Sequence, residues 1–334
     1  MGRYVARRVL QFIPVIIGTL FLLHFLSVLT IQIVGDPVRA LFGENAPPPE
    51  TIEQLQAQYG LDDPCLETTG NPCLWMYVER MGQYLQGDFG INYRQRPVTE
   101  LFLERVPVTI RLTFIAIVFE TILGIILGVL AGLRKDKFVD NFVRASTVLL
   151  IAFPVFVVGV LAQLYIGLEI GLPLRNSEAV PEWFAQMFTV TYAAEYPWLS
   201  LVLPGFVLGA FSLAAIARLT RTSLIENLRA DYVRTARAKG LGPGRTVGIH
   251  TLRNSLIPVV TYIGIDIGVL LGGALVTEGI FNIPGVGQLV FQSIQTNDIP
   301  VVIGVVTILT IVFLVANLIV DILYAALDPR IRYE

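Results

Sequence analysis

Four carboxylates fall within or beside long apolar stretches of this chain: Glu120, Asp266, Glu278 and Asp321. Ionisable groups at membrane depth are costly and are commonly functional. Asp266 is the best placed for chemistry, because it follows a basic loop by two turns and sits beside Gly264, Gly268 and Gly272. A carboxylate there can handle a proton or line a transport pathway. It can equally be a structural partner for Arg111, for a serine or threonine, or for water at a span end. Glu120 and Asp321 read as structural or interfacial, and Glu278 as a solvated group where a span leaves the membrane.

Other chemistries find little support. GLGPGRT (240–246) lacks the lysine and the spacing of a phosphate loop, and a helical segment precedes it where a strand is required. There is no H-E-x-x-H and no G-x-S-x-G, and His24 and His250 lie far apart in the chain. No catalytic residue, metal set or cofactor-binding motif is expected, the chain does not read as an enzyme, and no nucleic-acid partner is implied. Cys65 and Cys73, beside Pro64 and Pro72 in the first long polar loop, have no metal-binding neighbours. They can close a small disulfide loop on an oxidising face, or remain free thiols.

The elements that carry these residues are set by hydropathy. Of 334 residues 54% are hydrophobic and 15% charged, with a mean hydropathy of +0.68, whereas a soluble domain carries about a quarter charged residues. Charge-free runs at Ala145–Leu168, Leu199–Ala217 and Ile299–Val320 meet the ~20-residue requirement for a spanning helix. Six spans are expected, at roughly 9–34, 107–133, 143–170, 198–218, 256–281 and 300–326. The basic start and apolar run of MGRYVARRVLQFIPVIIGTLFLL also suit a cleaved signal peptide, whose apolar core is about 7–15 residues. The run here continues to about Val34, which favours an uncleaved first span.

Basic residues concentrate before span one, between spans two and three, between spans four and five, and at the end. By the positive-inside rule both termini are cytoplasmic. The chain then divides into 1–34 (N-terminus and first span), an external insertion at 35–106, and a five-helix core at 107–334 that includes the cytoplasmic loop 219–255. In the insertion Pro47–Pro49 breaks the chain, helices are expected from Glu50 to Tyr59 and from Tyr77 to Leu85, QGDFG (86–90) reads as a turn, and Val98–Arg105 as a short helix. Trp183, Phe184, Phe188, Tyr192, Tyr196 and Trp198 read as an interfacial belt. Gly124, Gly128 and Gly132 form a four-residue ladder, and Gly264, Gly268 and Gly272, followed by Gly273, form another. Such ladders let helix backbones approach closely, as static packing or as a sliding surface. PGVG (284–287) reads as a tight turn into the last span.

The loop between spans four and five has its own order. A helical run, Tyr232–Lys239, stops at Gly240; Gly242-Pro243-Gly244 turns the chain; a second helical run reaches Asn254, and Pro258 opens the next span. Contact with anionic lipid would need the charges, but not this helix-stop pattern, which suits a docking helix. Asp231–Leu241 (DYVRTARAKGL) and Arg253–Val259 (RNSLIPV) resemble the EAA loop of ABC-importer permeases, in the form used by the dipeptide/oligopeptide/nickel branch. Arg234 stands at the usual glutamate position, and the proline lies further from Gly240 than in the general pattern. RYVARRVLQFIPVIIGTL, GDPVRALFG (35–43), YGLDDP, GDFG, VTEGIFNIPGVG (276–287) and DPRIR (328–332) look like the B-type subunit of that family. The stretch carrying Cys65 and Cys73 departs from it.

The resemblance implies an all-α polytopic membrane protein of the type I ABC importer permease fold, with six transmembrane helices and a helical external insertion between helices 1 and 2. It implies a heterodimer with a homologous C-type permease in the plasma membrane, two ABC ATPase subunits that bind ATP and Mg, and an extracytoplasmic peptide-binding protein. The ATPases would dock on Asp231–Leu241, with Tyr232, Thr235, Ala236 and Leu241 in contact, Arg234, Arg237 and Lys239 supplying charge, and Gly240 ending the helix. Asp266, Gly268, Gly272 and Glu278 are candidates for the pathway or its gate. Two other readings compete. An ion-coupled secondary transporter would use Asp266 or Glu120 as a proton site, though no clear repeat of the kind such folds show is visible. A scaffold or receptor without transport would tolerate substitution in the glycine ladders.

Overall fold

The computed structural model describes residues 2–35, 38 and 48–327. DPRIR (328–332), Pro47 and all of GDPVRALFG (35–43) except Gly35 and Val38 lie outside them. Every regular element among the described residues is helical, apart from a single bridge between Ile91 and Pro97. Two compact units divide the chain: 1–107 with 284–334, and 108–283.

In the first unit, α1 (Gly2–Val34) packs along α11 (Ile299–Leu327), and α10 (Val286–Gln295) packs on α11 as well. Between them in sequence come α2 (Pro49–Tyr59) and α3 (Leu74–Leu85). α2 opens with proline and an acid in its first turn, and closes on Gly60 in the left-handed conformation, φ +62°. Those are the ordinary start and stop chemistries of a helix. PGVG does more than turn the chain: Val286 and Gly287 open α10, which buries six of its ten residues, so a helix separates the turn from α11.

In the second unit, α7 (Val202–Asn227) is the central post. Its apolar window is 72% buried, against 28% or less for the other candidate spans. It packs on α5 (Phe138–Ala152) and α9 (Ile257–Ile280). Against α4 (Val98–Leu133) the contact is through glycine: a Cβ on Gly124 would stand 2.7 Å from Ile216 Cγ2, and one on Gly128 2.6 Å from the Ala217 carbonyl oxygen. The first ladder is therefore a close-packing surface. The core between these helices gathers Leu112, Leu201, Val207, Leu270, Phe281 and Ile283.

Among the described residues, five helices are long and apolar enough to cross a membrane, or six if one bent pair counts as a single span. Two expectations change in detail. The apolar run 143–170 is not one helix: α5 stops at Ala152, and α6 (Val155–Leu161) starts beyond Pro154. A proline ring clashes with the preceding turn and has no N–H to give, so it breaks the run. From α6 the chain continues through a π-helical stretch, Ala162–Gly171, to Arg175. In α9 the axis bends by 53° between Ile257–Leu270 and Ala274–Ile280. Gly272 lies at that bend, and a Cβ there would meet nothing within 4 Å. The first ladder thus seals a helix pair, while Gly272 of the second lies at a bend.

Candidate functional site

The loop after α7 folds into a rigid bracket. Asp231 stands in the first turn of α8 (Asp231–Ala238) and Arg237 in its last, both favourable to the helix dipole. The helix ends in a Schellman motif: Gly240 N–H donates to the Arg237 carbonyl (2.9 Å) and Leu241 N–H to that of Ala236 (3.3 Å). The motif needs a left-handed residue, and Gly240 supplies it at φ +80°. At the other end the Tyr232 hydroxyl donates to Asn227 Oδ1 (2.5 Å), and Asn227 in turn donates to the Ser223 carbonyl (2.8 Å), so the first turn is tied to the end of α7. Thr246, Thr251 and Ser255 carry the chain back, with Ser255 Oγ donating to the Ser223 carbonyl at 3.4 Å.

One face of α8 is anchored and the other is open. Val233 and Ala236, three residues apart, are buried. Asp231, Tyr232, Arg234, Thr235, Arg237, Lys239 and Gly240 are exposed, and Leu241 is half-buried. Ala236 therefore turns inward with Val233 instead of joining the exposed contact face, because the i, i+3 spacing puts both on one side. The Arg234–Asp231 pair, at 3.5 Å, lies in the open and adds little.

Sequence reasoning missed the ion pair nearby. Arg221 near the end of α7 grips Asp140 in α5 with two hydrogen bonds, Nε to Oδ1 at 2.5 Å and Nη2 to Oδ2 at 2.6 Å. The Asp136 N–H donates to the same carboxyl. The Arg221 guanidinium, hydrogen-bonded to it, holds the Asp140 carboxyl below its ordinary value. The available signal was an acid in a basic interhelical loop, just where a helix begins.

Of the carboxylates placed at membrane depth, Glu120, Asp266 and Glu278 are buried. Asp266 Oδ1 accepts from Ser212 (2.9 Å), the serine partner that the sequence allowed, while Arg111 lies over the Trp198 ring instead. Both Glu120 oxygens and Asp266 Oδ2 find no donor among the described residues. Glu278 is not solvated, as its position near a span end suggested; it is fully buried and accepts from the Thr109 hydroxyl at 2.6 Å. The reason is that the last turn of α9 is capped inside the core, where Phe281 and Ile283 flank Asn282 at φ +48°. Gly268 is buried and Gly272 exposed. The Asp321 side chain lies outside the described residues.

In the other unit, Cys65 and Cys73 form a disulfide. No cluster of three or more metal-ligating side chains occurs among the described residues.

Known proteins extend the resemblance to the whole chain. It is 38% identical over 348 residues to the dipeptide transport system permease protein DppB of Haemophilus influenzae, covering all of both chains. It is 35% identical over 337 residues, again with full coverage, to the glutathione transport system permease protein GsiC of Escherichia coli K12 and to its counterpart in Shigella dysenteriae. Residues 124–333 match the family described as binding-protein-dependent transport system inner membrane component. That stretch holds α8, the Asp140–Arg221 pair, Asp266 and Glu278, and with the full-length relatives it shows the family: the chain belongs to the binding-protein-dependent transport system inner membrane components, the permease subunits of ABC importers.

Proposed function

We propose that this chain forms half of a translocation pathway for di- or oligopeptides, delivered by an extracytoplasmic binding protein. The peptide substrate is supported by the relatives, which are named for dipeptide and glutathione transport. A homologous C-type permease supplies the other half. Two ABC ATPases bind ATP and Mg and drive the cycle, while this chain holds no cofactor and catalyses nothing. Both termini lie on the cytoplasmic side, as the basic loops indicate.

The observation that carries the mechanism is α8 itself: a short helix, anchored through Val233 and Ala236, capped by Gly240, and exposing Tyr232, Arg234, Thr235, Arg237 and Lys239. A helix held this way passes on a push without bending. ATP-driven closure of the ATPases moves α8, and α7 carries the movement to the helices packed on it. Such a shift needs the two states to differ in affinity for the ligand. Membership of an ABC importer family supports ATP-driven import over ion coupling.

Purification of the tagged chain in mild detergent tests the assembly. Recovery of ATPase subunits and a second permease is expected, followed by peptide- and binding-protein-stimulated ATP hydrolysis in proteoliposomes. A chain that purifies alone and moves solute on a proton gradient without ATP would overturn the proposal. Dipeptide, oligopeptide, glutathione and nickel-complex competitors then identify the cargo.

A further inference from the structure

We infer that α3 lies in the bilayer, its apolar face against lipid chains at the headgroup boundary, and is not a helix of a water-exposed loop. The argument starts from where α3 touches α1. The Tyr77 hydroxyl donates to the Ile17 carbonyl (2.7 Å), and the Tyr77 ring meets Phe21 edge-on, with centroids 5.4 Å apart. His24 Nε2 lies 3.1 Å from the Pro72 carbonyl oxygen, just before α3. Since that nitrogen faces a carbonyl acceptor it carries the proton, which leaves Nδ1 to accept from Arg80 at 3.3 Å. The contact is thus built at the level of residues 17 to 24 of α1.

That level cannot be outside the membrane. At about 1.5 Å per residue the 29-residue apolar stretch Ala6–Val34 is roughly 43 Å long, against a hydrocarbon core of about 30 Å. Wherever a core of that thickness is placed along the stretch, it covers roughly residues 15 to 25. Ile17, Phe21 and His24 all fall in that range, so a helix bonded to them lies at the depth of the bilayer.

The free face of α3 matches such a position. Leu74, Trp75, Val78 and Leu85 are 59%, 76%, 59% and 86% exposed. Their spacing sets them on one stripe, while Glu79, Arg80 and Gln83 fall on the opposite side and line a cleft of about 490 Å³ with Tyr59 and Asp62. A contiguous apolar stripe of this kind in water would be unusual; a helix lying in the interface has this division. It also continues the exposed apolar surface of α1 at the same level, where Ile17, Leu22 and Leu26 are about half exposed. Gln32 and the Cys65–Cys73 disulfide hold the entering loop in place, with Gln32 Nε2 donating to the Asn71 carbonyl at 3.0 Å.

The test uses the assembled transporter in nanodiscs. Trp75 fluorescence is taken as the difference between wild type and Trp75→Phe, in bilayers with and without dibrominated phosphatidylcholine. Most of that signal should be lost to the brominated lipid, with little effect of iodide in the buffer. Quenching by iodide alone would place α3 in water, and quenching by neither would place it under another subunit; both overturn the inference. Photolysis of the unsubstituted complex with a diazirine-bearing lipid checks it independently: adducts should map to residues 74–85, and their absence there, with adducts present on α1, would sink it.

Discussion

Gly240 sits at φ +80° with open space where a Cβ would stand. Size is therefore not what excludes other residues at this position; backbone conformation is. A left-handed L-residue costs roughly 1–2 kcal/mol, less for asparagine, which is about 5- to 30-fold in an equilibrium. Gly240→Ala should lower peptide uptake by a factor in that range while ATP hydrolysis persists, and Gly240→Asn should do less damage. Equal uptake in all three proteins would detach the Schellman cap from coupling. The Asp140–Arg221 pair makes a second residue-scale claim. Asp140 is fully buried and its partner 18% exposed, so Asp140→Asn leaves an unpaired guanidinium partly out of water and should cost about 3 kcal/mol, the low end for a broken buried pair. Because the folded carboxyl titrates below its ordinary value, its stabilisation is whole above that value and is lost as pH falls through the lowered one. The melting gap between wild type and Asp140→Asn should accordingly narrow on acidification below the ordinary carboxylate range. A gap that stays constant with pH would mean that the charge is not what holds the two helices.

At the level of helices the first glycine ladder packs against a neighbour, while Gly272 of the second, with the same spacing, lies at a bend. Against α7 the ladder at Gly124, Gly128 and Gly132 leaves no room: a Cβ on Gly128 would fall 2.5 Å from Thr220 Cβ. Both neighbours there are parts of a packed helix, one of them backbone, so the pair must separate. Overpacking of this kind costs about 1–3 kcal/mol, and Gly128→Val should depress the melting temperature, whereas Gly272→Ala should not, since a Cβ there meets nothing. A stable Gly128→Val protein would contradict the close packing. Periodicity revealed both ladders, but which partner a ladder meets is a tertiary fact. The same holds for Glu278. Its position near a span end suggested solvation, and only the capped turn at Asn282, with Phe281 and Ile283 driven into the core, explains why it is buried on Thr109. The break at Pro154 was legible in principle, since proline is a local signal; the charge-free run around it masked the break. The helix-stop pattern at Gly240 was local and strong, so α8 could be read directly from the sequence.

For the whole molecule, the charges that matter are concentrated where the chain leaves the bilayer. The net charge is only −2, yet Arg234, Arg237 and Lys239 stand together in the open on and just after α8. Cations clustered on a docking face steer association and set its salt dependence more than its depth. They are screened over about 8–10 Å at physiological ionic strength, so if an ATPase seats on α8, as proposed, their effect belongs to that contact and not to the span interior. Reversing all three, in Arg234→Glu/Arg237→Glu/Lys239→Glu, leaves Val233, Ala236 and Gly240 untouched and should not unfold the helix. ATPase subunits should then wash off the purified complex at a lower salt concentration than from wild type, while the second permease should stay bound. Loss of both partners together would point to misfolding of the reversed protein. Retention of the ATPases at every salt concentration, with uptake still driven by ATP, would mean that the basic face of α8 is a topology signal for the membrane and that docking rests elsewhere in the loop 219–255.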